Sequence, residues 1–128
     1  MKNNIFFLSG FLISAIFMGC ADQRITFEGT VYRGVLDSTT TLVAVGSPIS
    51  GAIVREKTHP EKTTTGANGR YRLEITVPGV IGYPNAKQYT IESTWLGGGD
   101  VDIVYARPGE NIYVRDMVIY QLVPNPTK

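Results

Sequence analysis

Cysteine and histidine, the residues most often used for nucleophilic and metal chemistry, each occur once in this chain of 128 residues, as Cys20 and His59. A disulfide needs two cysteines, and a cysteine-rich zinc site needs several. A nucleophile activated by a histidine would depend entirely on His59, which stands beside Pro60 among lysine, threonine and glutamate residues. That context is typical of an exposed hairpin residue. The sequence therefore predicts a protein that is not an enzyme and has no catalytic residue.

Two carboxylates form the next candidate site. Asp100 and Asp102 follow Gly97-Gly98-Gly99, and paired carboxylates beside a flexible loop are ligands that calcium accepts. Two residues apart on a strand, they share a face. No further oxygen ligands cluster nearby in the sequence, so a solvated strand edge is the favoured interpretation. No metal and no cofactor are expected.

Aromatic side chains are the third candidate. Tyr83, Trp95 and Tyr105 are predicted as ligand contacts, and Tyr113 and Tyr120 complete the set. Such rings offer flat, rigid surfaces on which sugars or a partner protein pack. The alternative is ordinary packing in the core or on an edge strand, where aromatic residues are common. Trp95, just before the glycine triplet, is the best single candidate.

The one cysteine ends an apolar run. Lys2 precedes the run Ile5–Met18, whose length suits the hydrophobic region of a signal peptide and is short for a membrane span. The run ends in Phe17-Met18-Gly19-Cys20, which resembles a bacterial lipobox, although Phe17 stands where leucine is commonest. The resemblance implies cleavage between Gly19 and Cys20, with diacylglycerol and a fatty acid attached to Cys20. The alternative is an ordinary signal peptide, or an uncleaved anchor, with an incidental cysteine.

The same resemblance implies a location. A protein with two or three acyl chains on Cys20 would be stably anchored to a cell membrane and extracytoplasmic. Ala21 is not the aspartate that resembles an inner-membrane retention signal, so the outer membrane is favoured if the host is diderm. The chain has 12 basic and 11 acidic residues, and residues 1–19 contain only Lys2 among them. A net charge near zero argues against nucleic acid as a partner.

From Gln23 onward, short stretches rich in Val, Ile, Thr and Tyr are separated by turn residues, which is typical of all-β proteins. Alternation is clearest in Ile25–Val31, Arg70–Val77 and Tyr89–Trp95. Weaker strands are predicted at Thr41–Val45, Ala52–Lys57, Lys62–Thr65, Val101–Ala106 and Ile112–Leu122. The last loses its period near Asp116, which predicts a bulge or bend. Asn68-Gly69, between two such runs, predicts a tight hairpin turn.

A series of short motifs runs along these strands. They are Gly29-Thr30-Val31, Pro48-Ile49-Ser50-Gly51-Ala52-Ile53-Val54, Thr63-Thr64-Thr65-Gly66-Ala67-Asn68-Gly69-Arg70-Tyr71-Arg72-Leu73, Val77-Pro78-Gly79 and Tyr89-Thr90-Ile91. The series resembles the carboxypeptidase regulatory-like, transthyretin-like family over roughly residues 24–122. The resemblance implies a seven- to eight-stranded Greek-key β-sandwich, with Gly51 and Gly69 at tight turns. The chain departs from the family at Gly66, in a longer 34–47 connection and in an extension over 78–87.

The expected organisation is a signal peptide (1–19), a lipidated N-terminus and tether (20–24), a β-sandwich domain (25–122) and a flexible tail (123–128). A related hydroxyisourate hydrolase site would need several histidines, which this chain lacks. The leading hypothesis is a lipid-anchored extracytoplasmic binding or structural module that contacts an envelope protein, peptide or polysaccharide through the 34–47 and 78–87 loops. One alternative is a carbohydrate-binding module that uses exposed aromatics. The other is an assembly or pilot lipoprotein of an envelope complex.

Overall fold

The computed structural model describes residues 21–36 and 43–122, which form nine β-strands and no helix. The strands are β1 (Gln23–Leu36), β2 (Val43–Pro48), β3 (Ile53–Glu56), β4 (Lys62–Thr64), β5 (Arg70–Val77), β6 (Lys87–Trp95), β7 (Gly98–Ala106), β8 (Asn111–Tyr113) and β9 (Met117–Leu122). The predicted all-β fold of β-sandwich type is confirmed. Within these ranges no helical segment has the length and apolar character to cross a membrane. The predicted signal peptide, Cys20 and the tail 123–128 lie outside the described residues.

The long first strand organises one sheet. β1 pairs antiparallel with β5 along its first half and with β2 along its second half, and it pairs in parallel with β8 and β9. Val31 joins the two antiparallel halves, because its N–H donates to the Gly69 carbonyl and its carbonyl accepts from Ile49, both at 2.9 Å. The other sheet has the strand order β4-β3-β6-β7.

The core lies between the two sheets. Strand residues alternate between faces, so every second side chain of β5 and β6 points inward. The largest fully buried apolar side chains are Phe27, Ile25, Leu73, Ile75, Ile91, Met117 and Ile119. The alternation predicted for β1, β5 and β6 is confirmed by these buried rows, and Ala52 with Val54 and Tyr71 with Leu73 are buried in the same core.

The strand number differs from the seven or eight that were predicted, partly because the long segment 112–122 is two strands. Tyr113 of β8 pairs with Glu28, and Met117 of β9 pairs with Val31. Three residues, 114–116, therefore face the two β1 residues 29 and 30. The extra residue breaks the ladder where the period slips, as the predicted bulge near Asp116 requires.

The Asn68-Gly69 prediction was only half correct. The turn exists: the Gly69 N–H donates to the Gly66 carbonyl at 2.9 Å, and Asn68 Oδ1 accepts from the Arg70 N–H at 3.1 Å. It does not close a hairpin of paired strands, because β4 and β5 belong to different sheets. The turn instead carries the chain from one sheet to the other.

Candidate functional site

A row of exposed apolar side chains lies on β7. Val101, Ile103 and Tyr105 are 49%, 53% and 62% exposed, and they alternate with less exposed residues along the strand. Their partners across β6 are Glu92, Thr90 and Gln88. We call Val101, Ile103 and Tyr105 the β7 surface. A contiguous exposed apolar row of this kind is a common mark of an interaction site.

The backbone beside this surface is also partly open. β7 is the last strand of its sheet, and among the described strands it pairs with β6 alone. The Val101 N–H donates to Asp100 Oδ1 and its carbonyl accepts from Arg115 Nη2, both at 2.8 Å. Backbone groups alternate in direction along a strand, so those of Ile103 and Tyr105 face the same edge. There, an extended partner could pair with them.

The two aspartates that the sequence suggested as calcium ligands point inward and bind an arginine. Arg115 lies between β8 and β9, and its Nη1 is 3.1 Å from Asp100 Oδ2 while its Nε is 3.2 Å from Asp102 Oδ1. Asp100 Oδ2 also accepts from the Val118 N–H at 3.0 Å. β7 is an edge strand, as the favoured interpretation requires, but the two carboxylates are paired with Arg115 and are not freely solvated. The sequence does not show this pairing, because Arg115 follows the aspartates by 15 and 13 residues and precedes β9 of the other sheet. No metal-holding group of three or more His, Cys, Asp or Glu side chains occurs within residues 21–36 and 43–122.

Asp100 connects β7 of one sheet to Arg115 and Val118 of the other, and we call this set of contacts the Asp100 clamp. Burial would raise the pKa of its carboxyl, but hydrogen bonds from the Arg115 side chain and from the Val118 and Val101 N–H groups outweigh burial and lower it. The carboxylate is thus held in its charged form with its oxygens occupied. This arrangement fixes β7 against β9 at one side of the sandwich and supports the strand that carries the β7 surface.

Replacing Asp100 with asparagine is expected to destabilise the protein by about 2 kcal/mol, because a neutral amide weakens the bond to Arg115 and turns a donor toward a backbone N–H. Asp102→Asn is the matched control, since Asp102 is similarly exposed and is expected to cost less than about 1 kcal/mol as a half-exposed ion pair. Urea unfolding of both variants measures the difference. Equal decreases in the free energy of unfolding would contradict the role given to the Asp100 clamp.

His59 was predicted to be exposed, and that prediction was wrong. It does lie in the β3–β4 hairpin, but it is half-buried, with Nδ1 2.7 Å from Glu56 Oε1 and its ring centroid 6.0 Å from that of Tyr89. Glu56 is only 2% exposed. Its Oε1 also accepts from the Thr58 N–H and hydroxyl, and its Oε2 accepts from the Thr90 N–H at 2.9 Å. A carboxylate so fully engaged holds the hairpin together and is poorly placed to move a proton.

The three predicted aromatic contacts do not share one surface. Tyr105 is exposed on β7, and Tyr83 is 83% exposed in the loop after β5. Trp95 is half-buried against the core. It is the last residue of β6 and lies roughly 26 Å along the strand from Lys87, the first residue. The ligand role of each residue stays a prediction, and Gly19 and Cys20 lie outside the described residues.

The two predicted contact loops also differ in form. Much of the 34–47 connection is strand, because Gly34, Val35 and Leu36 pair with the start of β2, while residues 37–42 lie outside the described part. The 78–87 segment is a loop up to its final residue, Lys87, which begins β6.

Sequence reasoning missed the β7 surface, although its signal is present. Val101, Ile103 and Tyr105 alternate with Asp100, Asp102 and Val104, so the pattern predicts one apolar and one mixed face. A solvated edge would place the aspartates on the outer face of β7 and the apolar residues on the inner face. The ion pairs with Arg115 hold the aspartates on the inner face instead, which leaves the apolar residues exposed. The chain matches no protein-family model, and no curated protein matches it.

Proposed function

We propose that this protein is a lipid-anchored extracytoplasmic binding or structural module of the bacterial envelope, which works without catalysis. The observation that carries the binding role is the β7 surface, an exposed apolar row on an edge strand. Edge strands of this kind are normally blunted by charge or covered. Asp100 and Arg115 bind the backbone of Val101 in this way, but the apolar side chains of Val101, Ile103 and Tyr105 remain exposed, which favours a partner that covers them. An envelope protein or an extended peptide fits this surface best.

The proposal includes a transthyretin-like, Greek-key topology. It is supported by the antiparallel pairing of β1 with β5 and by the parallel pairing of β1 with β9, the last of the described strands. The positive φ angles of Gly51 and Gly69, at 84° and 75°, support the same assignment. The fold itself implies no chemistry, so the function rests on the surface and the anchor.

The anchor is proposed from the lipobox-like Phe17-Met18-Gly19-Cys20. Metabolic labelling with a fatty-acid analogue tests it in the wild-type protein and in Cys20→Ala. We expect label and membrane sedimentation in the wild type and loss of both in the variant. Equal label in both proteins would show that Cys20 carries no lipid and would overturn the anchored function.

Site-specific photo-crosslinking in intact cells tests the binding surface. A photoreactive residue at position 103 is expected to give one discrete adduct that disappears when Tyr105→Ala is added. Position 53 is the matched control, because Ile53 is also an exposed isoleucine, 41% exposed, on another strand of the same sheet. Adducts of equal yield at both positions, or none at 103, would rule out the β7 surface as the binding site.

A carbohydrate ligand is the second candidate, and one contact favours it. The Tyr105 hydroxyl lies 3.4 Å from Gln88 Oε1, so an exposed ring is flanked by a hydrogen-bonding amide, as sugar recognition requires. Tyr105→Ala should then abolish retention on envelope glycans, whereas Tyr113→Ala, which removes an exposed tyrosine from the other sheet, should leave it unchanged. Retention that survives Tyr105→Ala would exclude this candidate.

A further inference from the structure

Three segments of the chain meet at the end of the sandwich where β1 begins. Gln23, the first residue of β1, pairs with Val77, the last residue of β5. The β5–β6 loop, residues 78–86, therefore leaves the sheet beside the start of β1. The Gly109 N–H donates to the Arg24 carbonyl at 2.8 Å, which brings the β7–β8 turn to the same end. We call this the tether end, because Cys20 lies three residues before Gln23.

The β5–β6 loop exposes apolar side chains at the tether end. Val80, Ile81 and Tyr83 are 45%, 79% and 83% exposed. Scattered exposed apolar residues are ordinary on protein surfaces, but a contiguous set in one loop marks a contact surface. None of the three residues belongs to the core cluster, so core packing does not account for an isoleucine and a tyrosine held so far into solvent.

Basic side chains flank these apolar residues. The Arg107 guanidinium lies 4.7 Å from the Tyr83 ring centroid, and its Nε donates to the Pro84 carbonyl at 3.1 Å. Lys87 is exposed where the loop ends. Glu110 is the acidic neighbour, and its carboxylate accepts from the Arg107 N–H. Tyrosine with lysine and arginine beside aliphatic residues is the composition found at the membrane–water interface.

The tether is too short to hold this end far from a membrane. Three residues at full extension span at most about 11 Å. The headgroup layer on each side of the hydrocarbon core is itself roughly 5–7 Å thick. With acyl chains on Cys20, the tether end would lie within reach of that layer, and the exposed loop would face it.

We propose that the β5–β6 loop is a second membrane contact, which inserts Ile81 and Tyr83 into the headgroup layer of the bilayer that holds the Cys20 lipid. The inference rests on the proposed lipid anchor. It fixes the orientation of the domain, because a domain held at both the tether and the loop cannot swing freely about Cys20. The β7 surface would then start near the membrane at Tyr105, which pairs with Gln88, and run along β7 away from it to Val101.

Tryptophan fluorescence tests this contact in the lipidated protein reconstituted into vesicles. Tyr83→Trp places a second indole in the loop, and the wild-type protein supplies the signal of Trp95, which lies at the far end of β6. Vesicles with brominated acyl chains should quench the added tryptophan and shift its emission to the blue. The wild-type signal should be unchanged by the same lipids.

Each other outcome overturns the inference in a distinct way. An added tryptophan quenched by iodide in solution but not by brominated lipid would mean that the loop remains in water. One shielded from both quenchers would mean that a protein partner or a second copy covers the loop. Mass analysis of the same preparation distinguishes failure of the anchor from failure of the loop contact. A chain without acyl groups on Cys20 would overturn the anchor. A lipidated chain whose added tryptophan is not quenched by the brominated lipid would overturn the loop contact alone.

Discussion

Gly69→Ala is expected to destabilise the protein by about 3 kcal/mol. Gly69 has a φ of 75°, which costs a residue with a side chain about 1–2 kcal/mol. An added Cβ would also lie 2.7 Å from the Val31 carbonyl oxygen and 2.7 Å from Pro48 Cβ. Because that oxygen belongs to β1, relief of the clash would displace the central strand, and overpacking of this kind costs about 1–3 kcal/mol more.

Gly51→Ala separates the two contributions. Gly51 has a similar φ of 84°, but an added Cβ would meet no described atom within 4 Å. Gly51→Ala should lower the free energy of unfolding by about 1 kcal/mol, from backbone strain alone. Urea unfolding of both variants gives the comparison. Losses of equal size would mean that the close approach of Gly69 to β1 contributes nothing.

Glu56→Gln is expected to cost about 3 kcal/mol at pH 7. Burial alone would raise the pKa of Glu56, but hydrogen bonds from the Thr58 hydroxyl, from His59 and from the Thr90 and Thr58 N–H groups outweigh it and lower the pKa from 4.5 to about 2. One pKa unit corresponds to about 1.4 kcal/mol. Glutamine loses this charge-dependent stabilisation and also turns an amide donor toward a backbone N–H.

The same shift predicts a pH dependence. The folded-state pKa lies below the unfolded-state value, so the unfolded chain binds the proton more tightly. The stabilisation is therefore complete above about pH 4.5 and is lost as the pH falls toward 2. The free energy of unfolding of the wild type should fall across this window, and that of Glu56→Gln should fall less.

Glu74→Gln provides the control. Glu74 is a surface carboxylate that lies 3.2 Å from Arg24 and 3.3 Å from Arg72, and exposed pairs of this kind contribute less than about 1 kcal/mol. Its removal should leave the acid dependence almost unchanged. If Glu56→Gln and the wild type lose stability in parallel between pH 4.5 and 2, the carboxylate is not the group responsible.

The strands that the sequence predicted best are those whose burial alternates regularly. The bounds of β5, Arg70–Val77, are those predicted, because its inner face is wholly apolar and its outer face wholly polar. β1 extends beyond the predicted Ile25–Val31 to Gln23–Leu36. Its ends are set by pairing with β5 and β9, which local alternation does not contain.

Tertiary pairing accounts for the other errors. The chemistry of Asn68-Gly69 determines a local turn, but which sheet receives the next strand depends on packing. Asp100 faces inward because Arg115 neutralises it from a distant part of the fold. A sequence pattern contains the aspartates and the arginine separately and does not show that they meet. For the same reason the β7 surface was predicted only through Tyr105.

The pairing of β1 has a consequence for the order in which its sheet can form. Its partners include β9, the last described strand. The parallel pairing that starts at Val31 and Met117 therefore cannot form until β9 is available. Contacts between such distant parts of a chain form slowly, because loop closure precedes any gain from pairing. On the proposed export route, a chain still emerging from a translocation channel would lack β9, the strand that completes the pairing of β1. Such a chain would complete this sheet only after β9 has crossed the membrane.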